Sequence, residues 1–191
     1  MMIKILEYAK DLLRESASPD GVGVDLTMGN GYDTLFLSRL YSQGKVYAFD
    51  IQQQALDHTQ ALLEQEGQRE NVQLILDSHS NLDNYVSEPI DGALCNLGYL
   101  PGSDKSVTTL RPTTRMAIEK TLARLKKGGI LAVAVYPGHP EGRLEGEMLQ
   151  ELGASLSKKE YDVLLHRLVN VPDSPYLICF QHRKEPQMGE H

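Results

Sequence analysis

Hydrophobic residues form two alternating patterns along this chain. Short apolar runs predict buried strands, and between them lie stretches in which apolar residues recur every three or four positions, a spacing that predicts amphipathic helices. The predicted strands span residues 22–26, 45–49, 71–76, 90–95, 130–136, 161–169 and 176–181. The predicted helices span residues 1–16, 32–41, 52–66, 80–86, 112–127 and 141–152.

The order of these elements predicts the fold. Strands that alternate with helices predict a parallel sheet, whereas the last two strands have no helix between them and predict antiparallel pairing at one edge. We therefore expect a single α/β domain over residues 1–191, with a Rossmann-like, seven-stranded, mostly parallel sheet, an antiparallel last strand and helices on both faces. Residues 1–18 are expected to form a lid or packing helix, and residues 160–182 an edge hairpin.

A glycine-containing turn follows the first predicted strand. The segment from Thr27 to Gly31 reads TMGNG and leads into a helix at Tyr32, so the glycines allow a ligand to approach the backbone and the free amides of the helix start can meet its polar groups. Asp50 ends the next strand, about 20 residues further on, where an acid can accept hydrogen bonds from ribose hydroxyls. The pattern predicts a nucleotide-type cofactor; the alternative is a tight turn with no ligand. A nicotinamide enzyme is a weaker hypothesis, because Thr27 and Thr34 interrupt its GxGxxG pattern.

The distribution of charge along the chain indicates nucleic acid as a candidate partner. The net charge of −7 argues against nonspecific coating of nucleic acid, yet residues 101–127 carry seven basic and two acidic residues. Their other interpretation is a solvated helix face with lysines that complement the helix dipole. The candidate phosphate contacts are Lys105, Ser106, Thr108, Thr109, Arg111 and Arg115.

The cysteines, the histidines and the apolar runs indicate the redox environment, metal binding and membrane association that we expect for the protein. Cys95 and Cys179 lie in apolar strand-like runs, so we expect reduced thiols and a cytoplasmic protein. The histidines lack ligand spacing, which predicts no metal. The longest apolar run, residues 130–136, is too short to cross a bilayer, and we expect no membrane segment and no export signal.

Three segments resemble a known family. Asp25, Gly29 and Gly31 are similar to the first motif of class I S-adenosylmethionine-dependent methyltransferases, with Thr27 in place of its first glycine. The segments DLTMGNGYDT, CNLGYLPGSDKSVTT and VYPGHPEG together resemble the small bacterial family that carries the name rRNA methylase. Members of that family have been assigned as tRNA methyltransferases that convert wobble 5-aminomethyl-(2-thio)uridine to its 5-methylaminomethyl form.

The resemblance implies a cofactor, a partner and a set of contacts. The cofactor would be S-adenosyl-L-methionine, leaving S-adenosyl-L-homocysteine, and the partner a tRNA anticodon stem-loop. Asp50 would bind the ribose and Asp77 with its neighbours would lie by the adenine, whereas Asp33 could equally contact the methionine ammonium or favour a helix N-terminus through its charge. The expected cofactor contacts are Asp25, Thr27, Gly29, Asn30, Gly31, Asp33, Asp50, Gln52, Asp77, Ser78, His79 and Asn96.

Methyl transfer to an amine gives three residues candidate catalytic roles. A primary amine attacks only when it is neutral, so a neutral acceptor suffices to orient it, and the side-chain carbonyl of Asn96 suits that role. Tyr99 could stack on the uracil and His139 could relay the proton. The alternatives are a strand-end cap, an edge aromatic and a histidine held by backbone, respectively.

Other activities remain as hypotheses. The chain could methylate another RNA such as rRNA, or a small-molecule amine or hydroxyl, or it could bind the cofactor without turnover. A homodimer is also possible, through the N-terminal helix or the edge hairpin.

Overall fold

A computed structural model of the chain describes residues 5–98, 109–171 and 173–184. The helices are α1 (Ile5–Ser16), α2 (Tyr32–Leu40), α3 (Gln53–Gln65), α4 (Arg111–Arg124) and α5 (Pro140–Ser155), with a short 3₁₀ helix at His79–Asn84. The strands are β1 (Val22–Asp25), β2 (Lys45–Asp50), β3 (Val72–Leu76), β4 (Ile90–Asn96), β5 (Leu125–Val135), β6 (Tyr161–His166) and β7 (Tyr176–His182).

The seven strands form one sheet in the order β3-β2-β1-β4-β5-β7-β6. All neighbouring strands pair in parallel except β7, which runs antiparallel to both β5 and β6. This confirms the predicted mostly parallel sheet with a reversed last strand. The strand order changes direction between β1 and β4, and the connections leaving the two strands diverge there, which opens a crevice at their carboxyl ends.

Helices cover both faces of the sheet, as predicted. Side chains of α1, α2 and α3 pack on one face, and side chains of α4, α5 and the 3₁₀ helix pack on the other. Strand β5 shows why its sequence is apolar throughout: Leu131, Val133 and Val135 lie in one core cluster, whereas Ile130, Ala132 and Ala134 lie in the other. The two cysteines are likewise buried and unpaired, one on each face.

Two predicted boundaries are wrong. Helix α4 ends at Arg124 instead of residue 127, because Leu125 is buried and already pairs with Ile90 on β4. Gly128 adopts a φ of 86°, so the glycine pair forms an irregularity inside β5 and does not terminate the helix. Strand β6 ends at His166, and the apolar run beyond it leaves the sheet with Val169 90% exposed.

In the three described segments, no helix is both long and apolar enough to cross a membrane.

Candidate functional site

A cleft of about 1220 Å³ lies at the carboxyl ends of the parallel strands. Polar groups from β1, β2, β3 and β4 and from the loop after β5 converge on it, although they are far apart in sequence, and α1 closes one side. The cleft is lined by these predicted site residues: Thr27, Gly29, Asn30, Asp33, Asp50, Gln52, Asp77, Ser78, His79, Asn96, Thr109 and His139.

The turn after β1 is shaped by glycine and by Asp50. Gly29 and Gly31 have φ values of 51° and 86°, a region that L side chains rarely adopt, and a Cβ on Gly31 would lie 2.9 Å from the backbone of Thr59. The Asp50 carboxylate accepts the Gly29 N–H at 3.1 Å and the Gln52 N–H at 3.0 Å. Asp50 therefore fixes the turn, and each of its oxygens retains a second acceptor site for a ligand hydroxyl.

Asp25 and Gly31 support the turn from behind and do not line the cleft. The Asp25 side chain is fully buried and accepts hydrogen bonds from the Thr27 N–H at 3.1 Å and the Thr34 hydroxyl at 2.7 Å. Burial, and secondly the negative charge of Asp33, raise its pKa to about 7. The expected direct cofactor contacts of Asp25 and Gly31 are thus replaced by structural roles.

Asn96 sits at the end of β4 with its amide held from two sides. Its backbone N–H donates to the Thr27 hydroxyl at 2.7 Å, and its side-chain Nδ2 donates to Asp33 Oδ2 at 2.5 Å. Because a carboxylate only accepts, the amide orientation is fixed and Oδ1 points away from Asp33. Oδ1 is buried and has no hydrogen-bond partner within the described ranges. A buried acceptor that lacks a donor is costly, so this atom is suited to receive an N–H from a ligand.

The opposite wall carries the predicted adenine-side residues. Asp77 accepts hydrogen bonds from Asn81 and Tyr85, both at 2.9 Å, which lower its pKa, and the Ser78 hydroxyl caps the 3₁₀ helix. His79 is buried, and its Nδ1–H donates to the Leu26 carbonyl at 3.0 Å. Burial lowers the pKa of His79, so its ring is neutral at pH 7 and presents a flat, uncharged surface.

Comparison with known proteins identifies the family. Residues 46–182 match the family model described as "Putative rRNA methylase". This chain belongs to the rRNA methylase family. The family that the sequence motifs resemble is thereby confirmed.

Three relatives of this chain are informative. A chloroplastic tRNA (mnm5s2U34)-methyltransferase of Arabidopsis thaliana is 36% identical over 173 residues, which cover 85% of this chain but only 63% of that protein. An rRNA methylase structure from Clostridium thermocellum superposes with a TM-score of 0.91 at 34% identity, covering 95% of this chain and 100% of the other. A methyltransferase of Streptococcus mutans, solved with SAH, gives a TM-score of 0.88 at 42% identity, covering 95% and 99% respectively. The class I methyltransferase fold expected from the sequence is confirmed.

The departure of this chain from the usual glycine motif has a structural reason. Thr27 replaces the first glycine, and its hydroxyl accepts the Asn96 N–H, so it joins the cofactor-side turn to the end of β4. A glycine could not make this connection. Sequence reasoning noted Thr27 as a departure from the motif and as an expected cofactor contact, and it missed this hydrogen bond because the partner lies 69 residues away.

His139 differs from the predicted proton relay. It is the N-cap residue of α5, and its Nδ1 accepts the Gly142 N–H at 3.1 Å. An Nδ1 that accepts leaves the ring proton on Nε2, so the lone pair needed to take up another proton is already used. The structure thus favours the alternative, a loop histidine held by backbone.

The predicted RNA contacts are only partly described. Tyr99, Lys105, Ser106 and Thr108 lie outside the described residues. Arg111 and Arg115 are 49% and 56% exposed at their side chains and do not line the cleft, and each has an acidic partner, Glu141 and Glu119. Exposed pairs of this kind contribute little, so both arginines stay available to a phosphate.

The polar groups of Thr109 form hydrogen bonds within the protein. Its hydroxyl accepts the Gly98 N–H at 2.9 Å and donates to the buried carboxylate of Glu145 at 2.9 Å. Its backbone N–H also donates to the Gly98 carbonyl, so the two residues that flank positions 99–108 are joined. An anchoring role fits these contacts better than the predicted phosphate contact.

Sequence reasoning missed the contribution of α1. Leu6 and Lys10 line the cleft, and Lys10 Nζ lies 2.8 Å from Asp33 Oδ1 with both side chains largely buried. One signal was present: Leu6, Lys10 and Leu13 share a helix face, so a lysine stands where the apolar pattern expects a buried residue. Tyr32, 68% exposed at the cleft edge, was also missed.

Proposed function

We propose that this rRNA methylase family member is an S-adenosylmethionine-dependent N-methyltransferase that converts 5-aminomethyl-(2-thio)uridine at wobble position 34 of tRNA to 5-methylaminomethyl-(2-thio)uridine. Family membership supports methyl transfer, and the name of the Arabidopsis relative supports this nucleoside. The observation that carries the proposal is Asn96, which lines the cleft and whose buried Oδ1 has no hydrogen-bond partner among the described residues. It suits a substrate that brings an N–H donor.

The cleft fits S-adenosylmethionine, which supplies an electrophilic methyl group on a sulfonium when it is bound. The turn at Gly29 lets a ligand lie against the backbone, and Asp50 beside it offers oxygens for two ribose hydroxyls. Asp77, Ser78 and neutral His79 form the wall for the adenine. The Streptococcus mutans relative, solved with SAH, supports this assignment.

Asn96 then orients the substrate amine. If the free amine were as basic as lysine, with a pKa of about 10.4, deprotonation at pH 7 would cost roughly 4 to 5 kcal/mol at 1.36 kcal/mol per pH unit, and the nearby sulfonium lowers that cost. Oδ1 accepts one N–H of the neutral amine and directs its lone pair away from the amide. Water can take up the proton that the amine loses, and the Nδ1 atom of His139 is engaged by the Gly142 N–H.

The RNA side of the proposal lies beside this point. Gly98 and Thr109, which flank positions 99–108 in the sequence, both line the cleft, and α4 with Arg111 and Arg115 begins two residues after Thr109. We assign Tyr99 to stacking on the target base and the two arginines to phosphates of the anticodon stem-loop. Action in the cytoplasm and assembly as a homodimer also remain proposals.

Nucleoside mass spectrometry of tRNA from a strain that lacks this gene tests the substrate. Unmethylated 5-aminomethyl-(2-thio)uridine should accumulate, and the wild-type gene should restore the methylated nucleoside while the Asn96→Ala gene should not. An unchanged tRNA nucleoside profile would defeat the wobble assignment. Methylation lost from rRNA, or only from a small-molecule amine or hydroxyl, would support the alternative substrates.

A further inference from the structure

Helix α1 places a cation next to the proposed catalytic amide. Lys10 Nζ lies 2.8 Å from Asp33 Oδ1, and the other oxygen of the same carboxylate holds Asn96 Nδ2 at 2.5 Å. The side chains of Lys10 and Asp33 are only 14% and 11% exposed. A lysine, a carboxylate and an amide therefore form a continuous chain that ends at Asn96 Oδ1, for which the described ranges supply no hydrogen-bond partner.

The carboxylate in this chain has two opposing effects. A charged acceptor makes the stronger hydrogen bond, so Asp33 holds the Asn96 amide firmly. However, a negative charge within about 4–6 Å stabilises a protonated amine and raises its pKa by roughly 1–3. A substrate amine bound at Oδ1 would be separated from Asp33 by one amide group and two hydrogen bonds, so we expect it to experience part of this effect. Without a neutralising partner, Asp33 would orient Asn96 but would also favour the protonated, unreactive form of the substrate amine.

We propose that Lys10 is a positioning residue for the methyl transfer: it neutralises Asp33, so that Asp33 can orient Asn96 without holding the incoming amine in its unreactive ammonium form. This inference rests on the proposed function, because it needs an amine substrate at Asn96. It assigns to α1, which the sequence predicted only as a lid or packing helix, a defined electrostatic role.

Lys10 is the residue that offsets the negative charge of Asp33, as the other titratable groups around the cleft show. His79 is neutral at pH 7, and His139 is held by the Gly142 N–H. Tyr136 has its pKa raised by burial and by Asp33, so it is a neutral phenol. The remaining charged or titratable residues that line the cleft, among those that the structure describes, are Tyr32 and the acids Asp50, Asp77 and Asp173, and Asp25 lies behind the turn. Lys10 is the one basic side chain among the described residues that line the cleft.

The test is the pH dependence of kcat in Lys10→Gln, measured at saturating S-adenosylmethionine and saturating tRNA that contains 5-aminomethyluridine. Glutamine can still donate a hydrogen bond to Asp33 but carries no charge, so the inflection that reports the bound amine should move to a pH higher by about 1, and kcat at pH 7 should fall about tenfold. Lys10→Arg should keep the wild-type inflection. In Lys10→Gln/Asp33→Asn the inflection should return to within about 0.3 of wild type, while the plateau kcat stays low because Asn96 has lost its charged anchor.

Two further measurements separate this role from a structural one. Lys126→Met removes another lysine–aspartate pair, the 2.7 Å contact with Asp91, at a site that does not line the cleft and should leave the inflection unchanged. The side-chain NMR signal of Asn96, which needs no substrate, should move in Asp33→Asn and stay in Lys10→Gln. A pH-independent loss of kcat in Lys10→Gln, with an unmoved inflection, would overturn the inference while the proposed function stands. Absence of transfer by the wild-type protein would instead defeat the proposed function, and this inference with it.

Discussion

At the scale of single residues, the site depends on the orientation of the Asn96 side-chain amide. Asn96 is a strand-end residue, and an asparagine in that place could simply cap the strand. Thr27 and Asp33 instead hold its backbone N–H and its Nδ2, and Oδ1 is left buried without a hydrogen-bond partner in the part of the chain that the structure describes. The geometry favours an acceptor for a ligand over a cap.

Replacing Asn96 should separate catalysis from cofactor binding. We expect Asn96→Ala to lower kcat by roughly 10² or more, because the amine loses its orienting acceptor, with the Kd for SAH nearly unchanged. Single-turnover methylation and calorimetry measure the two quantities. Asn84→Ala, an exposed asparagine that does not line the cleft, is the matched control. Normal turnover in Asn96→Ala would remove this residue from the mechanism.

The raised pKa of Asp25 should make the free energy of unfolding depend on pH. Its pKa is about 7 in the folded protein, against 3.8 for an exposed aspartate, so its proton stabilises the fold below pH 4 and that contribution is lost as pH rises through 7. Relative to Asp25→Asn, which stays neutral, the wild-type free energy of unfolding should fall by up to roughly 4 kcal/mol between pH 4 and pH 7, at 1.36 kcal/mol per pH unit. Urea unfolding of both proteins measures the difference. A difference that does not vary with pH would contradict the raised pKa; Asp57→Asn, an exposed site, is the control.

At the scale of elements, the ends of the segment 99–108 are held by α5. The buried Glu145 accepts hydrogen bonds from the Thr109 and Thr114 hydroxyls, at 2.9 and 2.6 Å, and Thr109 in turn holds Gly98. The two described residues that flank this segment are thereby anchored on helix α5.

Thr109→Val removes this anchor with little change of shape. We expect a loss of roughly 1–3 kcal/mol in the free energy of unfolding, since Gly98 and Glu145 each lose a partner, together with a raised KM for tRNA and an unchanged Kd for SAH. Thr121→Val removes another buried hydroxyl, which bonds to Ala117 within α4, and should cost stability without changing the KM for tRNA. An equal KM in the two variants would show that the anchor does not serve RNA binding.

Helix α4 is the element on which the basic residues can be tested. Charge reversal in Arg111→Glu/Arg115→Glu should weaken tRNA binding and reduce the salt slope of log K by up to about 2, one for each lost phosphate contact. Filter binding across a salt series measures both. Arg124→Glu, at the far end of the same helix beside Asp83, should have little effect. An unchanged slope in the double variant would return both arginines to the role of a solvated helix face.

At the scale of the whole molecule, the sheet places cofactor and substrate groups on one rim. A ligand that spans the turn after β1 and the ends of β2 and β3 binds only the folded state, so it should stabilise the entire domain.

SAH at a concentration 100 times its Kd should stabilise the wild-type protein by about 2.7 kcal/mol, which raises Tm by roughly 5–11 °C for a domain of this size. Asp50→Ala should about halve that shift at the same SAH concentration, because a tenfold weaker Kd leaves about 1.4 kcal/mol. Differential scanning calorimetry measures the shifts, with Asp57→Ala as an exposed control. A shift produced by NAD and not by SAH would overturn the cofactor assignment.

Most of the fold could be predicted because its signals are local. Runs of apolar residues, helix-period spacing and the missing helix between β6 and β7 are properties of adjacent residues, and they gave the confirmed sheet. The wrong end of α4 depended on a distant partner: Leu125 joins β5 because Ile90 lies beside it, and no local signal distinguishes it from one more helical residue.

The site residues also fall into two groups, those that local sequence signals predict and those that depend on distant partners. The sequence by itself determined that a glycine turn, Asp50, the Asp77–His79 segment and Asn96 would meet at the carboxyl ends of parallel strands, because strand direction alone sends those positions to one rim. Only the tertiary structure decided that Asp25 is buried behind the turn, that Thr27 and Asp33 turn the Asn96 amide, and that Lys10 completes the chain from α1. Those relationships are hydrogen bonds and ion pairs across tens of residues of sequence, set by distances of about 3 Å that no periodicity encodes.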